Sequence, residues 1–163
     1  MGLDSGINIY FVSEDKQKNK KGREKLEKIF EVDKHRLEGD ITPWVYEDGG
    51  VEVAYWRKFW GLRNDFISIL KEEKERCGYG SDGYTFTVTS KKIDELIDSA
   101  KRFLDRKVFD LEGQQQIWDY DEYYDVMVYQ IKNLKKLRKM LSWLDHNGYV
   151  IWGDYQCYFY DSY

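Results

Sequence analysis

Residues 84–104 read Tyr-Thr-Phe-Thr-Val-Thr-Ser-Lys-Lys-Ile-Asp-Glu-Leu-Ile-Asp-Ser-Ala-Lys-Arg-Phe-Leu, and the hydrophobic period changes in mid-course. From Tyr84 to Val88 large apolar residues alternate with threonine, the period of two that a half-buried strand imposes. From Ile93 the apolar positions Ile93, Leu96, Ile97, Ala100 and Leu104 recur at threes and fours, one face of a helix running to about Arg106. Thr89 and Ser90 stand at the change, and the Ser90 hydroxyl is suited to accept from the orphan amides of a first helical turn.

Outward from this junction, the most regular segment is Tyr120–His146, where Met127, Ile131, Leu134, Leu137, Leu141 and Leu144 step by four, three, three, four and three. Its start is acidic (Asp119, Asp121, Glu122, Asp125) and its later turns basic (Lys132, Lys135, Lys136, Arg138, Lys139), an order that complements the helix dipole. Asn147-Gly148 supplies a left-handed stop. Beyond it, Tyr149–Trp152 and Tyr155–Tyr160, parted by Gly153-Asp154, read as closing strands or one bulged strand. Towards the other end, Ile7–Val12 reads as a central strand. A charged insert at about 14–40 follows, with a short helix from about Gly22 to Leu37 that carries Leu26, Ile29, Phe30 and Asp33. Pro43-Trp44 and Asp48-Gly49-Gly50 are turn chemistry. Tyr55, Phe59, Leu62, Phe66 and Ile69, spaced four, three, four and three, predict a helix from Val53 to about Arg76. The glycines of 77–83 read as a connector and residues 107–119 as a loop. The sum is one α+β domain over residues 1–163, a small mixed or antiparallel sheet packed against about three helices.

A chain of 163 residues can close a core without a disulfide, and Cys77 and Cys157 show no pairing pattern, so both are expected as reduced thiols. No basic stretch followed by an apolar run stands near Met1, and no window approaches the roughly 18 apolar residues of a membrane span. Charged residues make up 34% of the chain, yet the net charge is only −4, so a footprint for nucleic acid has to be local. Fourteen tyrosines and six tryptophans are more than a core needs, which points to a recognition surface.

Most catalytic chemistry finds no foothold. His35 and His146 lack a cysteine or carboxylate at ligand spacing, so no metal is expected. Cys157 alternates with Tyr155 and Phe159 and reads as a buried thiol, not a nucleophile. The glycines Gly78, Gly80 and Gly83 precede a strand, whereas phosphate cradles follow a strand and open a helix. No catalytic residue and no cofactor is assigned, and a binding role is favoured over an enzymatic one.

Met1-Gly2-Leu3-Asp4 leading to an aromatic strand, Glu52-Val53-Ala54-Tyr55-Trp56-Arg57-Lys58 opening a helix, Val88-Thr89-Ser90 entering a Leu-rich helix, Glu122-Tyr123-Tyr124 and the terminal Ser162-Tyr163 recur in one order. In that order the chain resembles a family of small phage-encoded proteins beginning Met-Gly-Leu-Asp, over most of its length except the basic stretch from Lys16 to Asp40. Where that family continues its helix with asparagine, histidine and tryptophan, this chain has Phe59-Trp60, Arg63 and Asp65, so a polar site built on those residues is not expected. The resemblance implies a phage origin and hence the host cell cytoplasm, without implying an activity.

Two surfaces are candidates. From Phe109 to Tyr129 there are six acidic residues and no lysine or arginine before Tyr129, beside several aromatic rings. Trp118, Asp119, Tyr120, Asp121, Glu122, Tyr123, Tyr124 and Asp125 are suited to the basic groove of a host protein, which makes the expected role that of a phage accessory protein antagonising a host factor, a defence protein included. The alternative is a nucleotide or other small-molecule binder using Asp4, Glu52, Trp56, Arg57 and Lys58, with Glu52 and Trp56 one helical turn apart and Arg57 as a planar cation among rings. A second copy of the chain is a further expected partner. Nucleic acid is not, because the lysine run from Lys16 to Lys28 has no interleaved aromatics; nor is a membrane.

Overall fold

The computed structural model describes residues 4–31, 43–46, 49–57, 59–71, 76–80, 83–105, 109–111, 114–116 and 120–162. The β-rich opening segment forms β1 (Asp4–Phe11) in the middle of the sheet, pairing with β3 (Val51–Arg57) on one side and β8 (Tyr155–Ser162) on the other. β2 (Trp44–Val45) lies outside β3, while β5 (Gly83–Thr87) and then β4 (Arg76–Gly80) lie outside β8. The order is β2-β3-β1-β8-β5-β4, with every neighbouring pair antiparallel. Among the described residues four helices complete an α+β fold: α1 (Lys16–Phe30), α2 (Trp60–Leu70), α3 (Ile93–Asp105) and α4 (Tyr120–His146). A two-stranded ribbon, β6 (Phe109–Leu111) with β7 (Gln114–Gln116), occupies part of the segment expected as a loop.

The helix expected from Val53 divides into strand and helix. Val51–Arg57 is β3, and α2 begins only at Trp60. An apolar run satisfies both periods when a strand is covered on both faces, so spacing alone did not separate the two; β-branched Val51 and Val53 and the open edge of β1 favoured pairing. The glycine connector is likewise half strand: Arg76–Gly80 is β4, in a hairpin with β5. Of Tyr149–Trp152 only Ile151 makes a bridge, to Tyr155, and Trp152 turns the chain at φ 73.

Other expectations match the structure. Met127, Ile131, Leu134, Leu137, Leu141 and Leu144 are all buried, and Gly148 ends the run at φ 74. α3 buries Ile93, Leu96, Ile97 and Ala100, with Phe103 deeper than Leu104. α1 starts earlier than expected because Asp15 caps it, accepting from the Gln17 and Lys18 amides at 3.0 and 3.3 Å. Leu26 and Phe30 anchor α1 in the core, and the chain leaves it at Glu31, φ 49. Asp33, His35 and Leu37 lie outside the described residues.

Antiparallel partners share a face, so register sorts the side chains. Ser5, Ile7, Ile9 and Phe11 of β1 lie with Trp56 and Ala54 of β3 and with Asp161, Phe159, Cys157 and Tyr155 of β8. This face meets the helices: Phe66 of α2 touches Trp56 and Phe159 edge-on at 5.3 and 5.6 Å, and Phe11 lies against Gly22 of α1. Cys157 has no exposure and is in no disulfide, and its burial is what its alternation indicated.

Candidate functional site

The opposite face of the sheet is polar and aromatic, and one irregularity decides which residues it holds. Ile7 faces Ala54, but Asn8 faces Glu52, so Val53 is an added residue in β3. In a regular strand Glu52 and Trp56, four apart, would share a face. The bulge turns Glu52 to the other side, with Asn8 and Tyr158. Trp56 stays in the core at 2% exposure. The proposed helical pairing of Glu52 and Trp56 is therefore overturned: the segment is a strand, and the two side chains lie on opposite sides of it.

On the polar face Glu52 is 4% exposed and accepts from two phenols: Tyr160 donates at 2.6 Å and Tyr46 at 3.0 Å, both to Oε2. Tyr46 Oη also lies 3.3 Å from Asn8 Oδ1. Charge-assisted bonds of this length are strong, and they satisfy a carboxylate that burial would otherwise penalise. Burial holds both phenols well above the usual tyrosine range, and the adjacent Glu52 carboxylate adds to it, because a phenolate there would meet a like charge. Beside them Tyr46, Tyr10 and Tyr158 form a ladder of nearly parallel rings, 6.3 and 6.0 Å between centroids. Glycine makes the layer possible at two positions. A Cβ on Gly6 would come within 2.7 Å of the Tyr160 ring, and one on Gly50 would run into Tyr10. At one end Tyr55 donates to Asp4 at 2.7 Å.

Thus, of the residues proposed for a ligand site, Asp4 and Glu52 share the polar face and are each engaged by tyrosine, while Trp56 belongs to the core. Arg57 pairs with Asp4 in the strand register, and Lys58 lies outside the described residues. Chemically the cluster is a set of phenol donors converging on a carboxylate. Tyr46, Tyr160 and Asn8 were not singled out from the sequence; Gly6 in a β-rich strand was the one sign that a ring lies close.

A second polar group lies on the helix-facing side. Arg63 of α2 grips Asp161 through Nε at 2.7 Å and a terminal nitrogen at 2.5 Å, both on Oδ2, and the Asp161 side chain has no exposure. Ser5 stands between Asp161 and Trp56 in the register. Ser5 Oγ and Trp56 Nε1 are buried without a hydrogen-bond partner among the described residues.

At the acidic surface, Tyr120 to Asp125 form the opening turns of α4, where Tyr124 and Asp125 are exposed. Trp118 and Asp119 lie outside the described residues. Among the described residues no group of three or more histidine, cysteine, aspartate or glutamate side chains could hold a metal, and no helix is long and apolar enough to cross a membrane. Compared with known protein families, curated proteins and solved structures, the chain matches none.

Proposed function

We propose that this chain is a binding protein, a phage accessory protein that docks on a basic surface of a host protein and antagonises it through the acidic, aromatic segment that leads into α4. The observation that carries this reading is Tyr124, 40% exposed at the opening of a helix that buries one stripe in its next turns, with the exposed Asp125 beside it. A partly exposed ring near the start of a helix is suited to contact a partner's pocket, and neighbouring carboxylates steer it toward positive charge. The phage-family resemblance supports a host protein as the partner.

The small-molecule alternative is less well supported, because Glu52 is buried against two phenols and Trp56 faces the core. The test is affinity capture from host lysate with wild type and with a variant carrying Asp119→Asn, Asp121→Asn, Glu122→Gln and Asp125→Asn, both checked for folding by circular dichroism. One host protein retained by wild type, lost with the variant and inhibited by the purified chain is the expected result. Equal retention by both, or none by either, overturns the reading.

A further inference from the structure

The lysine run of α1 does not stand alone in the fold. Lys18, Lys21, Lys25 and Lys28, spaced three, four and three, line one stripe of the helix. Lys21 and Lys25 each hold Nζ 5.9 Å from the centre of the Trp143 ring on α4, and Lys18 lies 4.9 Å from that of Tyr149 just beyond it. Lys132, Lys136 and Lys139 lie on the same stripe of α4 as Trp143, at spacings of four, three and four. The lysine stripe of α4 thus runs on from the half-buried indole that the α1 lysines approach.

The charge is segregated as well. α1 has seven lysines and arginines against two glutamates, and Lys132–His146 has five against one aspartate, so these segments carry nine net positive charges on a chain of net charge −4. Lys18 is paired with Asp154 at 2.9 Å. Among the described residues Lys21, Lys25, Lys28, Lys132, Lys136 and Lys139 join no ion pair. Such crowding of like charge costs stability that a polyanion would relieve. At physiological salt charges screen over about 8 Å, so the local patch outweighs the acidic remainder at contact.

We infer that the surface where α1 meets α4 binds single-stranded nucleic acid, with phosphates on the two lysine stripes and a base stacked on Trp143. Lysine-lined grooves with an aromatic platform are the recurring solution for a single strand. A duplex turns its base faces inward and would leave the indole unused. The sequence expectation against nucleic acid rested on the absence of aromatics within the lysine run; α4 supplies the missing ring from a distant part of the chain. On α4 this surface uses the turns from Lys132 onward, beyond the acidic opening turns, and the inference does not depend on that reading.

The test is fluorescence anisotropy of a labelled oligothymidylate with the full chain, in parallel with a duplex of equal length. Binding should weaken with salt with a logarithmic slope of about −2 to −3, the value for three or four phosphates on a single strand, and exceed duplex binding about tenfold. Lys25→Gln, Lys28→Gln, Lys132→Gln and Lys136→Gln combined should weaken binding at least about tenfold and flatten the slope, whereas Lys101→Gln with Arg102→Gln on α3 should not. Trp143→Leu should cost about tenfold with the slope unchanged, and Trp143→Tyr, which keeps a ring, should restore most of it. Circular dichroism establishes that each variant is folded. No binding at low salt, indifference to the four lysine changes, or equal affinity for single strand and duplex with Trp143→Leu silent would each overturn the inference.

Discussion

The two faces of the central sheet are made from the same three strands and are stabilised differently. One buries Ile7, Ile9, Trp56, Cys157 and Phe159 against α2 and its neighbours, so its energy scales with apolar area and fit. The other covers itself with tyrosine, and its buried group is a carboxylate held by two phenols. Area is indifferent to pH, whereas a phenol beside a carboxylate is not. The difference predicts large, pH-independent losses for the apolar residues of one face and smaller, pH-dependent ones for the phenols of the other.

The largest effect is expected for Phe66→Ala, which removes a fully buried ring from between Trp56 and Phe159. Urea unfolding should show a loss of about 3–5 kcal/mol that is constant between neutral and mildly alkaline pH. Next comes Asp161→Leu, which strands the Arg63 guanidinium and should cost about 3 kcal/mol, near the lower end for a broken buried pair because Arg63 keeps some solvent. Adding Arg63→Met should recover part of that loss. If the double variant is the less stable of the two, the pair contributes net stability and the comparison needs revising.

On the polar face Tyr160→Phe should cost about 2 kcal/mol, the value of one hydrogen bond to a charged group. Its pH signature separates it from the core variants. The pKa values of Tyr46 and Tyr160 are raised in the folded chain, so their contribution is complete below the ordinary tyrosine value of about 10 and falls as pH rises beyond it, where the unfolded chain ionises first. Alkaline unfolding should therefore bring tyrosinate absorbance from these two phenols together with loss of structure. In Tyr46→Phe with Tyr160→Phe the fall of stability above about pH 10 should be shallower; an unchanged slope would remove these phenols from the account.

The smallest effect belongs to a site outside both faces. The carboxylate of Asp154 accepts from the Val150 amide at 2.7 Å and from Lys18 at 2.9 Å, in that order of importance, and is held below its usual range. Its contribution is present above the unfolded value of about 3.9 and is lost as pH falls through the lower folded one. Asp154→Asn should flatten the acid limb of stability while leaving the alkaline limb untouched. A matching change on the alkaline limb would mean that the two faces are coupled through β8.

Elements with a single consistent period were legible in the residues. α4 was found with its bounds and its inward stripe, because twenty-seven residues of one repeat leave no rival reading. α3 and β5 followed from the change of period at Val88. The segment Val51–Arg57 was misread because buried strands and buried helices are both apolar all round. The candidate sites fared unevenly. Glu52 and Asp4 do share a polar face, but Tyr46 and Tyr160 come to Glu52 from other strands, and nothing local announces them.

The residues alone determined the α+β class, the helices α3 and α4, the central position of β1 and the buried thiol of Cys157, since each rests on a repeat that secondary structure imposes on neighbours in sequence. Tertiary structure decided the rest. The added residue Val53 sends Glu52 and Trp56 to opposite faces, since a shift of one residue in a strand reverses every side chain beyond it. The fold also brings Trp143 to the lysines of α1, because helix packing joins surfaces that the sequence keeps far apart.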